Sequence, residues 1–316
     1  MRYRRLGRTD LEPSILGYGA SPLGEEFGPI DAAEGERAVH AAIDAGVNFF
    51  DTAPYYGRTL SETRLGQALR GRRDRVILAT KCCRDTADGF DFSARRVTDS
   101  LDESLRRLGT DYVDLLQIHD IEFGDRRQIL EEALPAARRA QQAGKARWIG
   151  VTGLQLEMLE DVARRFEVDT VLSYARYNLA ITDLDRSLRP FAEERGIGLI
   201  NASPLLLGAL THGAPPPWHP AAPELLEACA KVDAACRDAG VALPALALRF
   251  CLDHPYVSTT LVGMSNREQL AMNLAALDFE IDAALLRKIR SLLEPVSGRI
   301  WASGLPENHD QAAKIQ

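Results

Sequence analysis

The 316-residue chain contains no apolar run approaching the roughly 18 to 20 residues that a membrane-spanning helix requires, so no such helix is expected. It has no basic tract either. Acidic side chains number 45 against 38 basic ones, a net charge of −7, and such a surface repels a phosphate backbone. Nucleic-acid binding is set aside on that ground. Cysteine is scarce: the chain has five, an odd number without CxxC spacing, which argues against a disulfide framework and against zinc or redox motifs. Cys82 and Cys83 follow a lysine, and packing is the expected role for them as for Cys229, Cys236 and Cys251. His212, His219, Asp120 and Glu122 match no zinc spacing, so no metal site is expected. The charged start, Met1 to Arg5, lacks the apolar stretch of a signal peptide. A cytoplasmic chain with free thiols is the expectation. Core material is ample, with 46% hydrophobic and 26% charged residues.

Short β-branched or aromatic runs alternate with longer segments of helical spacing. The expected strands are residues 15–17, 47–51, 76–81, 113–119, 146–152, 170–174, 198–202 and 259–262. Segments such as 32–45, 93–108, 126–143 and 156–166 carry apolar residues three and four apart, the mark of helices. The strand runs are nearly continuous in hydrophobicity, as parallel strands covered on both faces should be. Eight β-then-α units without a linker-like break predict one domain over residues 1–316, a (β/α)₈ TIM barrel of the α/β class. A doubly wound sheet usually carries G-x-G-x-x-G after its first strand, and residues 17–22 do not supply it. Residues 1–13 are expected to form a hairpin plugging one barrel end. A further helix and an irregular tail should follow from about residue 282. The Pro/Gly-rich residues 211–223 read as a long loop.

A parallel barrel gathers the C-terminal ends of its strands at one mouth, where catalytic groups collect. Three successive expected strands end in Asp51, Lys81 and His119, and Tyr55 and Tyr56 follow Asp51 closely. An ordinary phenol, with a pKa near 10, is a poor acid or base at neutral pH. A neighbouring ammonium lowers that pKa, and a buried lysine keeps its charge only beside an anion. Asp51 would therefore pair with Lys81, Lys81 would tune Tyr56, and His119 would orient a substrate oxygen. Such an arrangement takes a proton from a C–OH while hydride leaves the carbon.

The strings Asp51-Thr52-Ala53-Pro54-Tyr55-Tyr56-Gly57, Ala79-Thr80-Lys81 and Gln117-Ile118-His119 resemble the tetrad motifs of the aldo-keto reductase superfamily over essentially the whole chain. The tyrosine five residues after the aspartate selects Tyr56 and leaves Tyr55 as a wall. The segments at 17–24, 89–94, 119–124, 217–220 and 293–296 resemble one branch of that superfamily, which oxidises L-galactose at C1. The resemblance implies a small sugar substrate, L-galactose or a relative such as L-fucose, with NAD taking the hydride. Among cofactor contacts it implies Gly19, Ala20, Ser21 and Asp51, then Thr152 beside a glycine, Gly153, where the family usually has an asparagine. It further implies Tyr174, then Ser203, Leu205 and Gly208 near the pyrophosphate, and Gly263, Met264, Ser265, Gln269 and Asn273 around the adenosine. NADP-preferring members place cations at the positions of Gly263 and Gln269, and both are uncharged here, which favours NAD; Arg267 lies near enough to compensate. Trp218 and Trp301 are either walls of a sugar pocket or loop anchors. A monomer or weak homo-oligomer is expected. Rival readings are an NADPH-dependent carbonyl reductase, a cofactor-sensing subunit with little turnover, and an isomerase forming a Schiff base on Lys81.

Overall fold

A computed structural model of the chain describes residues 1–86 and 89–311. Eight parallel strands close into a barrel: β1 (Leu16–Gly19), β2 (Phe49–Asp51), β3 (Ile77–Cys82), β4 (Val113–Ile118), β5 (Ala146–Gly153), β6 (Thr170–Tyr174), β7 (Gly198–Ala202) and β8 (Thr259–Gly263). Each strand pairs with its successor, and β8 closes on β1 with Leu16 opposite Thr260 and Gly19 opposite Gly263. The expected barrel is therefore the architecture observed. Helices α1 (Ala32–Asp44), α2 (Leu60–Ala68), α3 (Ala94–Leu108), α4 (Leu134–Gln142), α5 (Leu156–Arg165), α6 (Leu188–Arg195), α7 (Pro223–Asp238), α8 (Leu243–Leu252), α9 (Arg267–Ala275) and α10 (Ala283–Leu293) surround it. Among the described residues no helix is long and apolar enough to cross a membrane.

Three differences from expectation stand out. β2 begins at Phe49, and the main-chain N–H of Asn48 is spent on Ser14 Oγ at 3.1 Å in place of the ladder. The helix expected over 126–143 is broken into Arg126–Gln128, a π-helical turn Ile129–Ala133, and α4. Pro135 has no N–H for the ladder, and widening the preceding turn absorbs that loss. A two-stranded hairpin of Arg84–Thr86 and Gly89–Phe90, which the sequence pattern did not announce, follows β3.

The first residues form the expected hairpin, with a bridge between Tyr3 and Ser14 and a bond from Leu6 N to Leu11 O at 2.9 Å. Leu6 and Leu11 are buried with Phe49, Ala79, Leu115, Leu172, Ile200 and Leu261 from the barrel strands. They plug one end of the barrel, so the open mouth is at the other. The tail crosses that side of the molecule. Asp310 accepts from Leu156 N and Glu157 N at 3.1 and 2.9 Å, capping α5 from a distant part of the chain. The buried guanidinium of Arg176 fixes it, bonding Asp310 at 2.8 Å, Asp183 at 2.6 Å and Leu154 O at 2.9 Å. Residues 312–316 of the expected tail lie outside the described residues.

Candidate active site

Strand register assembles the site. Asp51 is the last residue of β2, Lys81 lies one residue before the end of β3, and His119 lies one residue beyond β4. The main chain of His119 is held across the barrel wall by its N–H, which donates to Cys82 O at 3.1 Å. Lys81 is almost wholly buried and donates to Asp51, to Thr52 O at 2.9 Å and to the Tyr56 hydroxyl at 3.3 Å. Gln117 Nε2 donates to the second Asp51 oxygen at 2.8 Å, so that carboxylate is fixed from two strands. The rings of Tyr56 and His119 meet edge to face, with centroids 5.9 Å apart. The four expected catalytic residues are thus brought together.

Tyr56 depends on two glycines for its position. Gly57 sits at φ +60°, and a Cβ there would fall 2.1 Å from Gly24 O, so the loop carrying Tyr56 packs backbone to backbone against the turn after β1. The ring of Tyr55, expected as a wall, lies beside those of Tyr56 and His119 with centroids 6.1 and 6.2 Å away, and the Arg84 guanidinium lies 3.7 Å over its face.

Burial dominates the electrostatics. It raises the Tyr56 phenol above its usual value, and the Lys81 charge opposes this without reversing it. The expected lowering by Lys81 is therefore present but outweighed. Burial also works against the Lys81 ammonium, yet Asp51 and Tyr56 more than compensate and its pKa is raised. His119 is pushed well below its usual value by burial, then by Lys81 and Arg84, so its ring is neutral at pH 7. The thiol of Cys83, expected to be a packing element, is also pushed well up by burial, and all five cysteines are buried and unpaired.

A cleft of about 710 Å³ runs from Asp51 and Tyr56 past Ser203–Gly208 to Ser265, Asn266, Gln269 and Glu34. Of the expected cofactor residues, Gly19, Ser21, Asp51, Ser203, Leu205, Gly208, Gly263, Ser265 and Gln269 line it. Ala20 and Met264 lie behind its wall: the Ala20 amide and carbonyl are spent on Asp51 O, Leu23 N and Ser61 Oγ, and the Met264 side chain is in the core. Asn273 lies beside Met264, its Nδ2 4.0 Å from the Met264 sulfur. Ser203, Leu206 and Leu207 all have positive φ without being glycine, a local strain that curves the chain around the cleft. Among the described residues no cluster of three metal-ligating side chains occurs.

Thr152 and Tyr174 stand on the far side of His119 with two acids. Thr152 Oγ1 accepts from Asp120 N at 3.0 Å, and Asp120 pairs with Arg84. The site of a side chain at residue 153 is filled by Glu122, whose Oε2 would lie 2.5 Å from a Cβ there. Glu122 Oε1 accepts from Leu154 N at 2.9 Å and Tyr174 Oη at 3.3 Å, while Oε2 is buried without a partner. Burial first, then Asp120, pushes its carboxyl up to about 8. Sequence reading passed over Glu122 except as a metal ligand. The available signal was the missing side chain at Gly153, which leaves room that something else must fill.

The tryptophans take different places. Trp218 is exposed and packs against Phe27 at 6.3 Å, on the rim of the cofactor-sized cleft. Trp301 packs against His219 at 5.9 Å.

A tyrosine hydroxyl bonded to a buried lysine thus stands at one end of a cleft of about 710 Å³ in a parallel barrel. A sequence profile of the aldo/keto reductase family matches residues 15–294, and the chain belongs to that family. It is 45% identical to L-galactose dehydrogenase of Arabidopsis thaliana, over 96% of this chain and 98% of that one. It is 31% identical to D-threo-aldose 1-dehydrogenase of a Pseudomonas species, over 85% and 91% of the two chains. The holo form of an aldo-keto reductase from Bacillus halodurans superposes with a TM-score of 0.79 at 26% identity, covering 98% of this chain and all of that one. The family uses a nicotinamide cofactor. A cleft of about 710 Å³ lined by glycines and by the hydroxyls of Ser203 and Ser265 fits such a group.

Proposed function

We propose that this protein oxidises an aldose, L-galactose or a close relative such as L-fucose, at C1 to the lactone with NAD. The observation that carries this reading is the meeting of Tyr56, Lys81 and His119 at one end of the cleft. Two relatives named for sugar oxidation support the substrate class. When bound, NAD⁺ would supply the acceptor for the hydride that leaves C1.

The chain's own residues handle the proton. His119, neutral at pH 7, holds the anomeric oxygen by a ring nitrogen. Tyr56 takes the proton from that oxygen as C1 becomes a carbonyl. Lys81, fixed by Asp51 and Thr52 O, stabilises the phenolate that accepts this proton and becomes the phenol. NAD over NADP is supported by Gly263 and Gln269, which place no cation in the cleft; Gln269 Oε1 accepts from Ser265 N at 2.8 Å. Buried, unpaired cysteines suit a reducing compartment, and the reading extends to a cytoplasmic enzyme.

The test is NADH or NADPH formation at 340 nm with L-galactose, L-fucose, D-arabinose and D-galactose. Strong activity with L-galactose and NAD⁺ is expected. Silence across the panel with cofactor binding intact would sink the reading. Tyr56→Phe is expected to lower turnover by orders of magnitude while NADH still binds.

A further inference from the structure

The end of the cleft away from Tyr56 carries a charged pair. Glu34 lies in the first turn of α1 and lines the cleft together with Asn266 and Gln269 from the start of α9. Its carboxylate takes three bonds from one residue: Arg267 Nε at 2.9 Å and Arg267 N at 3.1 Å to Oε1, and an Arg267 terminal nitrogen at 3.3 Å to Oε2. Arg37 adds a fourth at 2.8 Å. The bonds from Arg267, then those from Arg37, hold this carboxyl down at about 2, so it is ionised throughout the working range. Arg267 is the cation whose position left open the compensation for uncharged Gly263 and Gln269. Its fork is committed to Glu34.

With the reacting groups at the Tyr56 end, the adenosine half of a dinucleotide lies at this end, and its ribose 2′ position decides between the two coenzymes. We infer that Glu34 is the coenzyme selector: its carboxylate repels a 2′-phosphate and holds Arg267 away from one. The inference rests on the NAD reading above and deepens it. A 2′-phosphate entering here would meet an anion whose two adjacent planar cations are both engaged with it, Arg267 as a bidentate pair and Arg37 through its Nε. A ribose hydroxyl meets no such repulsion and can donate to the same carboxylate. The sequence argument for NAD was the absence of cations at two positions. The structure adds a present anion.

The experiment is calorimetric titration of the purified protein with NADH, NADPH and 2′,5′-ADP, which reads binding without turnover. The wild type is expected to bind NADH at least tenfold more tightly than NADPH. Glu34→Ala frees the Arg267 fork and removes the repulsion, so NADPH and 2′,5′-ADP should each bind at least tenfold more tightly than to wild type. In Glu34→Ala/Arg267→Ala that gain should largely disappear. A wild type that binds NADPH as tightly as NADH overturns the NAD reading itself. A wild type that prefers NADH, with a Glu34→Ala variant of unchanged ratio, leaves that reading standing and overturns the selector. A gain that survives loss of Arg267 overturns the claim that Glu34 withholds this arginine. Both side chains are partly exposed at 22% and 59%, and circular dichroism of each variant checks the fold.

Discussion

Glu122 makes stability depend on pH in a way that one substitution can isolate. Its carboxyl titrates near 8 in the folded protein, raised from an ordinary value of 4.5, because it is buried beside Asp120 with one oxygen unpartnered. The folded state therefore binds a proton that the unfolded state has lost, between about pH 4.5 and 8. Stability from this group is complete below 4.5 and falls as pH rises, until it levels off above 8. The slope is about 1.4 kcal/mol per pH unit, so the loss between pH 6 and 8 is about 3 kcal/mol. For a chain of this size that is about 5 °C in melting temperature. Glu122→Gln keeps the shape and the acceptor for Leu154 N but cannot ionise. The assay is thermal unfolding of wild type and variant at pH 6, 7, 8 and 9. The difference between the two curves should move by about 5 °C in the variant's favour from pH 6 to 8 and then stay flat. Titrating groups remote from Glu122 are common to both proteins and cancel, and Asp120 and Tyr174 are the neighbours that feel the substitution. A difference that is constant across the series would refute a protonated Glu122.

The raised Tyr56 phenol carries a kinetic consequence: the rate of sugar oxidation should climb through pH 7 to 9, and the reverse reduction should fall, as read from initial rates with saturating coenzyme. Gly57→Ala forces a side chain at φ +60° against Gly24 O, and it should cost about 2 kcal/mol in chemical denaturation and lower turnover more than NADH affinity. Asp310→Ala removes the cap of α5 and leaves the Arg176 charge short of a partner. A loss of about 3 kcal/mol is expected, with new proteolytic cleavage between residues 303 and 311.

The barrel was legible because its strands read as short, continuous apolar runs, and β6 and β7 match their expected bounds to the residue. Chemistry at successive strand ends was legible for a related reason: a parallel barrel converts the order Asp51, Lys81, His119 into neighbourhood at one mouth. What a linear pattern cannot carry is the balance of opposing terms. Lys81 does pull the Tyr56 phenol down, yet only the packed site reveals that burial pulls it further up. Nor can a sequence say which cation is free. Arg267 stood near the adenosine end in the sequence, and only the approach of α1 to α9 commits it to Glu34, 233 residues away. The role of Glu122 was hidden for the same reason, since from the turn after β4 it fills a space left by Gly153 at the end of β5. Local periodicity and strand order are properties of the chain, and they determined the fold and the meeting of Asp51, Tyr56, Lys81 and His119. Desolvation and long-range pairing are properties of the packed interior, where charges lose water and meet partners remote in sequence, and they decided each group's protonation and which charges the coenzyme would meet.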